Sequence, residues 1–109
     1  MAYDEGLAQR IRESLGDRPD LTEKAMFGGI GFMLRGNMCV GVIGNELLVR
    51  VGPKAHDDAV KLPHARIFDF TKRPSKGWIY VAPAGVSSDA DLHRWADRGV
   101  TFAMSLPAK

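Results

Sequence analysis

Three short runs in which apolar side chains alternate, separated by glycine-containing turns, constrain this chain more than any other feature. Ile30, Phe32 and Leu34 form the first run. Met38, Val40 and Val42 form the second, with Cys39, Gly41 and Ile43 on the opposite face. Leu47, Val49 and Val51 form the third, with Leu48 and Arg50 pointing the other way. A period of two predicts strands. Between the runs, Arg35-Gly36-Asn37 and Ile43-Gly44-Asn45-Glu46 read as tight turns, because glycine and asparagine tolerate the positive φ that short hairpins demand. Three strands joined in this way make an antiparallel meander.

A meander with an apolar face needs covering, and the flanking segments have the patterns to do it. From Asp4 to Leu15, the residues Leu7, Ala8, Ile11 and Leu15 recur at helical spacing, with Asp4 as N-cap and Gly16 as terminator. Arg18-Pro19-Asp20 then forces a turn, and no element is assigned between it and the Phe27–Gly31 stretch. After Gly52-Pro53, residues 54 to 61 form a short helix buried through Ala55, Ala59 and Val60. Ile67, Phe68 and Phe70 suggest a fourth strand, Thr71 to Gly77 a loop, and Trp78 to Val81 a fifth strand. A last helix is capped by Ser87 or Ser88, carries Asp89 and Asp91 in its first turn, and buries Leu92, Trp95, Ala96 and Ala103. Gly99 either lets this helix pack closely or bends it. The order α-β(3)-α-β(2)-α predicts a two-layer α+β domain with its helices on one face of an antiparallel sheet. Such a sheet leaves a face and two edges for self-association.

The 109 residues fit one domain, 1–109, large enough to bury a core without cross-links. The 45% apolar and 26% charged content excludes a disordered chain, and a net charge of +2 is too small to mark a nucleic-acid binder by itself. Cys39 is the sole cysteine, so no internal disulfide can form. The acidic N-terminus does not resemble a secretion signal, and no apolar run is long enough to span a bilayer. A cytoplasmic protein with no membrane partner is expected.

The chemistry-bearing residues do not assemble into a recognisable machine. Phe27-Gly28-Gly29-Ile30-Gly31 is glycine-rich, but its spacing fits neither a dinucleotide fingerprint nor a P-loop. It also leads into a strand, so a bulge or tight bend is the preferred reading. His56 (on an exposed helix face), His64 and His93 lack helical metal-pair spacing, and Cys39 reads as a small core hydrophobe. No serine lies in a nucleophile elbow and no carboxylates are placed as an acid–base pair. No catalytic residues, cofactor or metal are expected. The most suggestive surface is basic: Lys61, Arg66, Lys72, Arg73 and Lys76 share a stretch with a single acid, Asp69, that runs into Trp78 and Tyr80. Basic residues interleaved with aromatics can hold phosphates and stack on bases, although they equally suit a solubilising loop. Arg50, Arg66, Lys72, Arg73, Lys76 and Trp78 are therefore the candidate interaction surface.

Met26-Phe27-Gly28-Gly29-Ile30-Gly31-Phe32-Met33, followed by Gly36-Asn37-Met38-Cys39, resembles the N-terminal domain of the TfoX/Sxy family. The likeness continues through Leu48-Val49-Arg50-Val51-Gly52-Pro53, Phe68-Asp69-Phe70-Thr71, Lys76-Gly77-Trp78-Ile79-Tyr80-Val81 and a closing helix with Trp95. It implies a two-layer, secretion-chaperone-like α+β fold, dimerisation, and a regulatory role. Family members promote transcription of natural-competence genes together with a cyclic-AMP receptor protein. The C-terminal helical domain of those regulators has no counterpart here, so a stand-alone domain is expected. The resemblance supplies no catalytic residues. The expectation is a non-enzymatic regulatory or protein-interaction module, dimeric, with an unidentified protein partner. Direct nucleic-acid binding through Lys61–Tyr80 is one alternative. A small-molecule site or enzyme, with a pocket assembled across the fold at the Phe27–Gly31 bend, is another; a deep polar pocket containing His64 or Cys39 would favour it and a dry, filled interior would not.

Overall fold

The computed structural model describes residues 3–26, 28–68 and 75–108. The first helix, α1 (Glu5–Leu15), starts where expected: Asp4 accepts a hydrogen bond from the Leu7 N–H at 3.1 Å, and Gly16 ends the helix at a φ of 72°. Strands β1 (Leu21–Met26), β2 (Gly29–Leu34), β3 (Asn37–Ile43) and β4 (Glu46–Arg50) follow as a meander. Arg35 and Gly36, both at positive φ, turn β2 into β3, and Gly44 turns β3 into β4. A short helix α2 (His56–Val60) crosses to the edge strand β5 (Ala65–Phe68). The chain then re-enters the sheet as β6 (Ser75–Val81), passes through a single 3₁₀ turn at Pro83–Val86, and closes with α3 (Asp89–Met104). Ser88 caps α3 by accepting from the Asp91 N–H at 3.1 Å.

The six strands are all antiparallel in the order β1-β2-β3-β4-β6-β5. The α+β class and the helices-on-one-face arrangement match the sequence reading. The element order gains a strand, becoming α-β(4)-α-β(2)-α. The added strand is β1, an edge strand of Leu-Thr-Glu-Lys-Ala-Met whose four central residues are all exposed, so it shows no alternation to read. Its partner identifies it, since six consecutive residues pair with β2 from Leu21↔Leu34 to Met26↔Gly29. Ser75 to Gly77 also belong to β6 and not to a loop. Phe27 and residues 69–74, among them Phe70, Lys72 and Arg73, lie outside the described residues.

One face of the sheet is the main core. Phe32, Leu34, Val40, Val42, Leu47, Val49, Ile79 and Val81 are fully buried there against Ile11 and Ala8 of α1, Ala59 of α2, and Leu92, Ala96 and Ala103 of α3. Gly99 proves to be a close-packing glycine. A Cβ at that position would sit 2.3 Å from the Cys39 carbonyl oxygen, so α3 can lie directly on β3 only without one. His56 was expected on an exposed face but is buried, because α2 turns it inward. Its Nδ1 accepts the Gly77 N–H at 2.8 Å, satisfying a backbone donor at a strand residue whose φ is +93°.

Candidate functional site

The opposite face of the sheet carries a second apolar cluster that no described helix covers. Met38, Leu48, Phe68 and Tyr80 are buried at its centre, with Met26, Met33, Ile43 and Trp78 half-buried around them. Every helical residue buried in the protein's core belongs to the other face.

A strand irregularity decides what stands on this open face. The β2–β3 pairing steps from Phe32↔Val40 directly to Met33↔Met38, which leaves Cys39 as an extra, bulged residue. Simple alternation put Met38 beside Val40, but the bulge sends Met38 to the open face while Cys39 and Val40 both enter the main core. Cys39 is fully buried and its Sγ donates to the Phe32 carbonyl at 3.2 Å. Burial pushes its thiol up to about 11, the condition of an inert core residue rather than a nucleophile. Gly31 and Gly41 face each other across β2 and β3, and a Cβ on Gly31 would lie 2.7 Å from Met26 Sδ and 3.0 Å from Met38 Sδ. The two glycines form a trough that flexible methionine side chains fill.

At the β4–β6–β5 end the same face becomes aromatic and basic. Phe68 meets Tyr80 edge-on at 5.0 Å and Trp78 at 6.1 Å between ring centroids. Arg50 and Trp78 are register partners, and the Arg50 guanidinium sits 5.1 Å from the centroids of both Trp78 and Phe102. Arg66 stacks on Tyr80 at 4.4 Å and forms a two-pronged ion pair with Glu46, one bond at 2.9 Å. Lys76 is exposed. The structure thus brings Arg50 together with Trp78, and Arg66 together with Tyr80. It neutralises Arg66 with Glu46, which sequence spacing did not foresee. Lys72 and Arg73 lie outside the described residues.

The remaining chemistry is scattered. Ser14 Oγ and His93 Nδ1 lie 2.9 Å apart between α1 and α3, beside the Arg10–Asp89 pair at 3.3 Å. The Ser14–His93 contact ties α1 to α3. No group of three His, Cys, Asp or Glu side chains suited to a metal gathers among the described residues. Sequence reasoning missed the methionine trough, whose only signal was the pairing of glycines with methionines in facing runs. His64, named as a pocket residue, does line a cleft, but Arg94 and Arg98 of α3, which line it too, are announced by no short motif.

No helix among the described residues is long and apolar enough to cross a membrane. No curated protein and no solved structure matches the chain significantly. The TfoX N-terminal domain family matches residues 13–103, which take in part of α1, the entire sheet and nearly all of α3. The six-stranded antiparallel sheet with three helices is compatible with that assignment, and the chain belongs to the TfoX N-terminal domain family.

Proposed function

We propose that the protein is a non-enzymatic regulatory or protein-interaction module, a single domain over 1–109 that works as a homodimer in the cytoplasm and takes part in transcription regulation. One observation carries this reading: an apolar sheet face with no described helix over it, centred on Met38, Leu48 and Tyr80. The edges suit association less well. The edge strand β1 exposes Glu23 and Lys24, and β5 carries Arg66, charges of the kind that discourage strand addition. Family membership supports the regulatory role, since TfoX-type regulators act with a protein partner at competence genes. Sedimentation equilibrium tests the dimer. The parent chain should run as a dimer, and Met33→Glu, which places a charge on the half-buried rim of the face, should run as a folded monomer. A monomeric parent chain would remove the dimer. A measurable small-molecule turnover with no reproducible protein partner would sink the module reading.

Direct nucleic-acid binding is favoured by a separate observation, the Arg50 guanidinium 5.1 Å from the ring centroids of both Trp78 and Phe102, with Lys76 exposed two residues before Trp78 in β6. That reading requires affinity that falls steeply with salt and drops in a Lys72→Glu, Arg73→Glu double variant. Absence of binding at low salt would remove it.

A further inference from the structure

A cleft of about 380 Å³ opens between the α2–β5 turn, the 3₁₀ turn and α3, on the side of the molecule away from the open sheet face. This volume falls within the range of small-molecule sites. Leu62, Pro63, Ala84 and Trp95 give it an apolar lining, and Arg94, Arg98, His64 and Asp91 give it a charged and polar one. Arg94 and Arg98 stand one turn apart on α3 and therefore face the same way. Arg94 is engaged by Asp91. The guanidinium of Arg94, together with the Ser88 hydroxyl, holds that carboxyl below its ordinary range, so the two charges cancel. Arg98 has no carboxylate partner among the described residues. Its guanidinium lies 5.4 Å from the centroid of the Trp95 ring, and both side chains line the cleft.

His64, in the turn between α2 and β5, lines the same cleft as Arg98, and its backbone is strained there. Its φ is +68°, a conformation that costs a non-glycine residue free energy. The conformation is locked from two sides. The Ala82 N–H donates to the His64 carbonyl at 2.9 Å, and Gly85 leaves room that a Cβ, 2.9 Å from His64 Cβ, would occupy. A turn with glycine at position 64 would be relaxed. The chain instead has a histidine here, lining the cleft.

We propose that this cleft binds a small organic oxyanion, a phosphate or carboxylate on a compact apolar body, with Arg98 and His64 gripping the headgroup and Leu62, Pro63 and Ala84 taking the body. Guanidinium groups recognise both headgroups by paired hydrogen bonds, so the probes must separate them. The test is titration of the full chain with phenyl phosphate, benzoate, inorganic phosphate and benzyl alcohol at constant ionic strength, followed by amide and indole NMR shifts and by calorimetry. Phenyl phosphate or benzoate should bind saturably, at least about tenfold more tightly than benzyl alcohol, with shifts centred on His64, Trp95 and Arg98. Whichever anion binds more tightly identifies the headgroup. Arg98→Glu, an exposed change on α3, should abolish that binding. His64→Gly should weaken it while raising the melting temperature, because it relieves the strained backbone; a stability gain with unchanged affinity would take His64 out of the site. The proposal is overturned if neither anion binds saturably, if Arg98→Glu binds as the parent does, or if inorganic phosphate binds as tightly as phenyl phosphate.

Discussion

Cys39 shows how the surroundings of one residue settle its chemistry. Its thiol is buried in the main core and its proton is given to the Phe32 carbonyl, so the folded state holds that proton more tightly than the unfolded chain does. The folded pKa of about 11 exceeds the ordinary thiol value of 9.0, so folding binds an extra proton between those two values. Stability from this group is fully present below pH ~9 and declines as pH rises toward ~11, by on the order of 2 kcal/mol. Serine at this position keeps a donor for Phe32 and does not titrate in that window. Denaturant melts of the parent chain and of Cys39→Ser across this range should therefore converge as pH rises. Parallel curves would show that the thiol does not carry the effect.

Among the elements, α3 depends most on a single absent atom. Alanine is the better helix former than glycine by about 1 kcal/mol, so propensity alone predicts that Gly99→Ala stabilises the protein. Geometry predicts the reverse. The added Cβ meets the backbone oxygen of Cys39, which cannot swing aside as a side chain could, and α3 must lift from β3. The net effect should be a loss of about 1–3 kcal/mol, read from chemical denaturation. The legibility of the other elements follows the same division between local and long-range forces. The caps at Asp4 and Ser88 and the turns at Arg35-Gly36 and Gly44 are set by neighbouring residues, and all were readable. β1 is held by pairing with β2, and its own exposed residues carry no pattern. His56 turns inward because Gly77, 21 residues away, needs an acceptor.

The whole molecule is a sheet with two unlike sides. The central strands β3 and β4 are buried on both, with Val40, Val42, Leu47 and Val49 under the helices and Met38 and Leu48 on the open face. Their amides should be the last to exchange with solvent, at rates set by global unfolding, while those of β1 should exchange through local opening. Equal protection of β1 and β3 would show instead that the edge is covered in solution. The candidate surface was half legible at this scale. Arg50, Trp78 and Tyr80 were visible as a basic and aromatic pattern. Their coalescence with three methionines required strand order and a bulge, which alternation cannot supply.

That bulge also bears on how length can vary among related chains. Losing a residue within a central strand normally reverses the facing of everything beyond it. Here removal of Cys39 would bring Met38 and Val40 into unbroken register opposite Met33 and Phe32, with each still on its present side. A relative one residue shorter at this point could keep both faces intact, and an alignment gap inside β3 would mark a straightened strand, not a misaligned one.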